Sequence, residues 1–573
     1  MSRRLYLFFF LISFTVLHAT TPEEDVLAKS RAYLTLQDSK EALKLLQEQD
    51  IQISHSSSFW KQYIRTLAQA GRVQEATMLL AKYQTNTQIF DWELAEQVAW
   101  GQVKESIHSP QLPCRLQALL AAHFSRKIEG VRLLLEGIRS SNTLVRALAI
   151  HLAAELQDRC LVEEITGLFQ REKNSKIRRE LVRAIGKMRI TPLQPLLEIY
   201  LGREELSDAD RNVAVEAYLS FLDQPSHGDI ERFSVSPRVG HRVLYCRLSV
   251  MFGMQEGNEV LRKLTEDPHP SVRIHAFQAL GILHLGGRDT LLCAKRGVND
   301  SHPLVAASAA YVLSLEKDLA GQEKLAALLH HSQPKVRWFV SGLVSAMGVQ
   351  GESLVLYEAE SSSDPYVRLN LSIALFALRS QTGIGERKAS LLLRKALTEK
   401  QSRWKEETFG FFSGIVREVD LDEEAETKDL LLELQLCGLL YQLDPTGAKD
   451  LLEKFLHKHA WGISGGATAV LLMEGEMADF PVVEDLLQSR DPEVQLQAAI
   501  VLAIWGKHES ALAHLQSAYK EASFSHKIRI LEAMVQIGSF ETLPFFFEVL
   551  QSSSETLRIL GALGLIHTLQ FGS

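Results

Sequence analysis

Apolar residues recur along this chain at steps of three and four, the spacing that places them on one face of a helix. After Val272, for example, come Ala276, Ala279, Leu280 and Leu283. A second apolar segment precedes each such stripe, and two short helices with tight turns fill about 32 positions. The pattern therefore predicts an all-α chain built from helical hairpins.

The second helix of each predicted hairpin opens on a short motif, Pro-x-Val-Arg followed by alanines. Its aliphatic anchors recur at steps of 29–34 residues, with two longer gaps that divide into two and four units. The anchors are Val145, Ile177, Val239, Val272, Val305, Val336, Val367, Val494, Ile528 and Leu557. A lone hairpin cannot bury its own apolar faces, so successive hairpins stack. The predicted fold is an α-solenoid.

Local chemistry explains the motif. Proline at the first helical position has no N–H to leave unbonded and a preset φ. The residue before it, Asp364 or Asp491 for example, can accept hydrogen bonds from the first free amides of the helix.

The pattern from Asp267 to Gly281 resembles HEAT repeats, in the short form known from phycobilisome-lyase-like proteins, although His269 and Pro270 stand inserted ahead of Val272. The resemblance covers about 110–573. In HEAT-like arrays the motif arginine and the turn aspartate form a ladder between repeats. The resemblance implies structural roles for Arg273, Arg337, Arg368, Asp300, Asp364 and Asp491.

The chain divides into five predicted segments. Residues 1–19 read as a signal peptide, 20–109 as tetratricopeptide-like or capping hairpins, 110–375 as HEAT-like repeats and 481–573 as C-terminal HEAT-like repeats. Between them, 376–480 interrupts the repeat with an aromatic cluster at Phe409, Phe411 and Phe412 and with an acidic run. Either degenerate repeats or an inserted loop accounts for this stretch.

The first nineteen residues predict export. Arg3 and Arg4 precede an apolar run from Leu5 to Leu17, and Ala19 supplies a small residue at a cleavage site. This run is shorter than a membrane-spanning helix and has the layout of a secretory signal peptide. We expect a periplasmic or secreted protein; a retained N-terminal anchor is the alternative.

Composition limits the possible chemistry. The net charge of −8 argues against a general nucleic-acid binder, and the five scattered cysteines favour neither a disulfide framework nor a zinc site. The stretch Gly462–Gly466 matches the G-x-S-x-G motif of hydrolases around Ser464. It lacks the strands that this motif requires, so we predict a turn there.

Two clusters are candidate binding sites. A basic group that could hold an anion, with a solvated helix face as the alternative, comprises Arg171, Lys173, Lys176, Arg178, Arg179 and Arg183. Histidines crowd residues 269–331, and His269 and His302 occupy the same position in successive repeats. Imidazoles bind metals and sense pH, but we favour capping or solvent-facing roles for these histidines.

The sequence thus predicts an exported, non-enzymatic scaffold that binds a protein or glycan along the concave face of a HEAT-repeat solenoid. An enzyme or metal-binding protein using the histidines, and an anion receptor using the basic group, are the alternatives. We predict no catalytic residue, metal or cofactor, and self-association stays open.

Overall fold

The architecture comes from a computed structural model that describes residues 22–49, 56–203, 206–223, 225–382, 385–400, 402–419, 423–458, 481–506 and 509–572. The predicted signal peptide and the predicted turn at Ser464 lie outside these residues. The described chain forms two compact units, one containing residues up to Leu133 together with Ala522–Ser573, the other Leu134–Glu521.

The first unit joins helices from both ends of the chain. Its N-terminal helices are α1 (Pro22–Thr35), α2 (Ser39–Gln47), α3 (Ser57–Gln69), α4 (Val73–Thr87), α5 (Trp92–Ser106), α6 (Leu112–Phe124) and α7 (Ile128–Ile138), the last of which contains the boundary residue. Its C-terminal helices are α29 (Phe524–Ile537), α30 (Leu543–Leu550) and α31 (Glu555–Phe571). Helix α31 packs against both α5 and α6. One core therefore draws on both of the predicted end segments.

The second unit continues the helical hairpins. Its helices are α8 (Thr143–Leu156), α9 (Arg159–Arg171), α10 (Ser175–Lys187), α11 (Gln194–Leu201), α12 (Asp208–Leu219), α13 (His227–Ser234), α14 (Val239–Met251), α15 (Asn258–Leu264), α16 (Pro270–Ile282), α17 (Arg288–Gly297), α18 (Pro303–Leu315), α19 (Leu319–Leu329), α20 (Pro334–Ala346), α21 (Glu352–Ser361), α22 (Pro365–Thr382), α23 (Glu386–Thr398), α24 (Glu423–Leu443), α25 (Pro445–Lys458), α26 (Pro481–Asp485), α27 (Pro492–Gly506) and α28 (Glu509–Tyr519). Short 3₁₀ turns occupy Thr191–Leu193, Gly348–Gly351, Leu486–Gln488 and, in the first unit, Phe540–Thr542.

The second helix of each helical hairpin opens on the Pro-x-Val-Arg motif and is here called a motif helix. The motif helices lie side by side in this unit. From α8 to α22, each even-numbered helix packs against the next even-numbered one. Their anchors are buried, as Val272 and Val305 show with no exposed surface. Alanines such as Ala307 and Ala310, also without exposed surface, let the neighbouring backbones approach closely. The small residues of the motif thus set the stacking distance.

The predicted all-α solenoid class is confirmed for the described residues. Among the described residues, the one departure from helical structure is an antiparallel β-hairpin of β1 (Trp404–Phe409) and β2 (Phe412–Arg417). In it, Trp404 lies opposite Arg417 and Phe409 lies opposite Phe412. It falls in the segment for which the sequence left degenerate repeats or an inserted loop open. None of the described helices combines the length and apolarity needed to cross a bilayer.

Candidate binding surface: a β-hairpin on the second helices

The strands β1 and β2, here called the hairpin, rest on a surface made by the motif helices. We call this surface the second-helix face and define it by α14, α16, α18, α20 and α22. In sequence, the hairpin lies between α23 and α24. At the corresponding position in neighbouring repeats, a short turn joins the two helices. The hairpin contacts residues of all five helices of the second-helix face.

Two side-chain amides of the face bind the backbone of the hairpin. Asn370 accepts from the N–H of Ile415 at 2.7 Å and donates to the carbonyl of the same residue at 3.0 Å. Gln278 accepts from the N–H of Phe411 at 3.1 Å and donates to the carbonyl of Phe409 at 3.2 Å. Each amide therefore satisfies one donor and one acceptor of the hairpin backbone, Asn370 on strand β2 and Gln278 at the turn.

The turn of the hairpin requires a glycine. Gly410 has φ +72°, a left-handed conformation, and the position of a Cβ on it is already filled by the amide of Gln278. Its carbonyl also accepts a hydrogen bond from Arg247 Nη2 at 3.1 Å. A residue without a side chain thus brings the backbone into reach of both partners.

Three aromatic side chains surround this turn, and each meets a ring on a different helix. The ring centroids of Phe411 and His275 are 5.7 Å apart. Those of Phe412 and Tyr311 are 5.2 Å apart, and those of Phe409 and Phe339 are 5.7 Å apart. All three pairs are edge-on, the arrangement that the ring quadrupoles favour.

The part of the hairpin around Trp404, Ile415 and Val416, here called the base, is fixed to α24 as well. The N–H of Trp404 donates to Asp429 Oδ1 at 2.6 Å, and Lys400 bridges Asp429 and Glu433 at 2.7 and 2.6 Å. Trp404, Ile415 and Val416 are at most 5% exposed. Part of the acidic run expected between the repeats therefore starts a helix and binds the hairpin.

His275 is buried beneath the hairpin, and its imidazole Nδ1–H donates to the carbonyl of Ser271 at 2.7 Å. Burial, together with the positive charges of Arg247 and Arg211, lowers the pKa of His275 to about 3. The ring is therefore neutral at physiological pH, which suits its contact with Phe411.

The arginines of the predicted ladder bind in two directions. Arg273 Nη1 donates to the carbonyls of Asp267 and Pro268 in its own turn, and its Nε donates to Asp300 at 2.8 Å in the next turn. Arg337 repeats both contacts, with Nε 2.8 Å from Asp364.

Predicted ladder residues also cap helices or close their own turns. Asp364 and Asp491 accept from the amides of Tyr366 and Glu493, both at 2.9 Å, and Arg368 donates to the carbonyl of Ser362 at 2.7 Å. Burial opposes ionisation of Asp300, but its hydrogen bond to Arg273 and its neighbouring amide hold the pKa of this carboxyl below the usual range.

The ladder has further members that the sequence analysis does not predict. Arg242 pairs with Asp267 at 2.6 Å, and Arg146 pairs with Glu172. The spacing predicts Val239 as an anchor, but Val239 begins its helix as Pro270 does, so the anchor position belongs to His241. The step of 31 residues between Arg242 and Arg273 is the signal that reveals this shift.

The predicted anion-binding residues mostly face acceptors of the protein itself. Arg179 pairs with Asp210 at 2.8 Å, Arg171 with Glu164 at 3.6 Å, and Arg183 with Glu180. Arg178 donates to the carbonyl of Glu172 and lies over the ring of Tyr200. Lys173 and Lys176 flank the N-cap Asn174. These contacts support local helix packing, and anion binding stays a prediction.

The histidines predicted to share one edge lie at helix starts. His269 and His302 are the N-cap residues of α16 and α18, and His269 Nδ1 accepts from the amide of Ser271 at 3.2 Å. Within the described ranges, histidine, cysteine and acidic side chains form no group of three or more able to hold a metal ion.

A separate buried pair occurs in the first unit. Gln117 on α6 donates to Glu532 Oε1 on α29 at 2.9 Å. Complete burial raises the pKa of Glu532 to about 8, opposed in part by Gln117 and by Arg529. The carboxyl is therefore protonated at neutral pH.

No protein-family model and no curated protein matches this chain. Among solved structures, it is similar to the complex of CpcE and CpcF of phycocyanin lyase from Nostoc sp. PCC7120, at 16% identity and a TM-score of 0.27 over 46% of this chain and 94% of that one. It is also similar to the karyopherin Kap121p bound to the extreme C-terminus of the phosphatase Cdc14p, at 10% identity and a TM-score of 0.29 over 95% and 83%. A third is human deoxyhypusine hydroxylase, at 17% identity and a TM-score of 0.20 over 50% and 98%.

Likenesses of this size carry no conclusion about function. The HEAT-type architecture is visible in the chain itself, in stacked helix pairs joined by arginine and aspartate. We therefore infer the function from the second-helix face.

Proposed function

We propose that this protein is an exported, non-enzymatic scaffold that binds a partner protein along the second-helix face. The observation that carries the proposal is the pair of amides at Gln278 and Asn370, each bonded to both an N–H and a carbonyl of the hairpin backbone, Gln278 at the turn and Asn370 on strand β2. A surface that satisfies peptide groups in this way is chemically suited to polypeptide, so we favour a protein over a glycan.

Further features support binding rather than catalysis. The groups of this face that contact the hairpin are amides, aromatic rings, Arg247 and a histidine held neutral by burial, and they contact backbone and rings. Aromatic and amide side chains are characteristic of protein interfaces.

The export part of the proposal rests on the N-terminal sequence. Its basic pair, short apolar run and small residue at position 19 match a secretory signal. N-terminal sequencing of the protein recovered from its host tests this. We expect a mature chain beginning near Thr20 in the exported fraction, whereas an intact Met1 in the cytoplasm contradicts export.

Peptide display tests the binding proposal. A random library would be selected against a full chain in which the hairpin turn, residues 408–413, is replaced by a short glycine-serine turn, leaving the base in place. We expect selected peptides to contain aromatic residues and to bind at least about tenfold more weakly when Gln278 or Tyr311 becomes alanine, because each truncation removes a contact worth about 1 kcal/mol or more.

The matched control is Gln497→Ala on α27. Gln497 is also a buried glutamine of a motif helix, but its amide binds Glu493. Its replacement should leave peptide affinity unchanged. The proposal is wrong if no selected peptide depends on Gln278 or Tyr311.

A further inference from the structure

The hairpin has two parts that are held differently. At the base, Trp404, Ile415 and Val416 are almost completely buried and fixed by Asn370 and Asp429. Around the turn, Phe409, Phe411 and Phe412 are only partly buried. We call residues 408–413 the tip. The base belongs to the core, whereas the tip lies on the surface of the unit.

The polar contacts that hold the tip are ones that water or another peptide can replace. Its direct bonds run from Gln278 and Arg247 to backbone atoms of Phe409, Gly410 and Phe411. When such a contact opens, both amide and peptide group can bond to water, so opening costs far less than exposing an apolar core. Polar, water-replaceable contacts are typical of interfaces that form and dissociate.

We propose that the tip occupies the partner's site within the same chain and leaves when a turn-forming, aromatic-bearing segment of a partner protein binds. This inference rests on the proposed function. The base stays attached, so the tip lifts like a flap hinged near Glu407 and Gly414. The partner segment then takes over the bonds to Gln278 and the ring contacts with His275 and Tyr311.

The contacts of the tip also define what the partner segment must carry. It needs a free peptide N–H and a carbonyl two residues apart to reach both ends of the Gln278 amide, as Phe411 and Phe409 do. It also needs aromatic side chains that reach His275 and Tyr311, which lie on adjacent motif helices. Proline at the donor position removes the N–H and is excluded.

Limited proteolysis of the full chain tests the mobility of the tip. Chymotrypsin cleaves after phenylalanine, so Phe409, Phe411 and Phe412 report opening directly. Because Gln278 supplies two of the tip's bonds, Gln278→Ala should raise the rate of cleavage within 409–412 by about tenfold or more. Gln497→Ala should leave that rate unchanged. Equal cleavage in wild type and Gln278→Ala overturns the proposal.

A binding measurement tests whether the tip and an added peptide compete. The probe is a fluorescent peptide of residues 406–415 of this chain, titrated into intact protein and into the protein with residues 408–413 replaced by a glycine-serine turn. We expect at least about tenfold tighter binding to the shortened protein, lost when Gln278→Ala is added. Equal or absent binding to both proteins overturns the proposal.

These experiments separate the two proposals. If displayed peptides bind through Gln278 equally well to intact and shortened protein, the face is a binding surface and the tip does not control it. If the probe binds the shortened protein but the library yields no binder that depends on Gln278 or Tyr311, the tip is displaceable and the proposed function fails.

Discussion

At the scale of single residues, the second-helix face is defined by a few polar groups in a mostly apolar row. Gln278 and Asn370 have at most 5% of their surface exposed, yet both have hydrogen-bond partners on the hairpin. A buried amide without partners costs about 1–3 kcal/mol. These two residues are therefore tolerated in the stack because the backbone of the hairpin lies against them.

Gly410 is the residue on which the tip geometry depends. In Gly410→Ala, the left-handed φ adds about 1–2 kcal/mol of strain, and the new methyl displaces the Gln278 amide. We expect the amide of Phe411 to exchange with deuterium at least about tenfold faster. Hydrogen-exchange mass spectrometry of the segment 404–417 measures this.

Gly253→Ala is the matched control. Gly253 also has a positive φ, +61°, but no atom lies within 4 Å of its Cβ position. This variant carries the strain without the collision, so exchange in 404–417 should stay at the wild-type rate. A similar acceleration in both variants would show that the Gln278 contact has no part in holding the tip.

Glu532 makes the first unit sensitive to pH. Burial raises its pKa to about 8, so the folded state keeps its proton while the unfolded chain loses it near pH 4.3. Stability is therefore greatest below that pH and falls as the pH rises towards 8. Glu532→Gln should stabilise the first unit at pH 7 by about 3–4 kcal/mol and flatten this slope.

Urea unfolding followed at several pH values measures the effect, with hydrogen exchange in α6 and α29 assigning it to the first unit. Glu541→Gln, an exposed glutamate of the same unit, is the control and should leave the slope unchanged. A wild-type protein whose stability rises between pH 5 and pH 8 through Glu532 would contradict a buried, protonated carboxyl.

At the scale of elements, the arginine ladder ties each turn to its neighbours. One guanidinium closes its own turn through backbone carbonyls and pairs with the next turn's carboxylate. The ladder has a gap where Ala306 takes the arginine position. Helix pairs on either side of α18 therefore depend more on apolar packing.

Arg337→Ala should lower the free energy of unfolding of the second unit by about 2–3 kcal/mol, because it leaves the buried carboxylate of Asp364 without its cation. Thermal and urea unfolding measure this. Arg159→Ala removes a fully exposed pair with Glu163 and should change stability by less than about 0.5 kcal/mol. Equal losses in the two variants would contradict a stabilising role for the ladder.

The hairpin shows where element prediction from sequence stopped. The sequence marks Phe409, Phe411 and Phe412 as an aromatic cluster, and the structure places Phe409 and Phe412 in strands with Phe411 in the turn between them. A glycine at the first position of a two-residue turn, between aromatic residues, is a known hairpin signal. The surrounding repeats favour helix so strongly that a signal of this length does not outweigh them.

At the scale of the whole molecule, helices from the N-terminal and C-terminal parts of the chain contact each other inside the first unit. Arg558 on α31 donates to Gln102 on α5 at 3.1 Å, and Thr556 bonds to Gln111 at 3.3 Å. These contacts join residues more than 440 positions apart in sequence. The N-terminal helices therefore depend on the last helix for part of their core.

Arg558→Ala should speed hydrogen exchange in α5 by about fivefold or more, because it removes a buried bond to Gln102. Arg337→Ala is the control, since it removes the corresponding arginine from the second unit and should leave exchange in α5 unchanged. Unaltered exchange in α5 of Arg558→Ala would mean that this contact does not support the N-terminal helices.

The sequence by itself determined the helical hairpin, its length and its stacking, because these depend on periodicities and caps that repeat locally along the chain. It also pointed to the arginines and aspartates of the ladder, since their spacing equals the repeat. Tertiary structure alone decided that Gln278 and Asn370 bind one hairpin, and that Gln117 meets Glu532. Such contacts join residues 45 to 415 positions apart, and no local pattern encodes which distant surfaces meet.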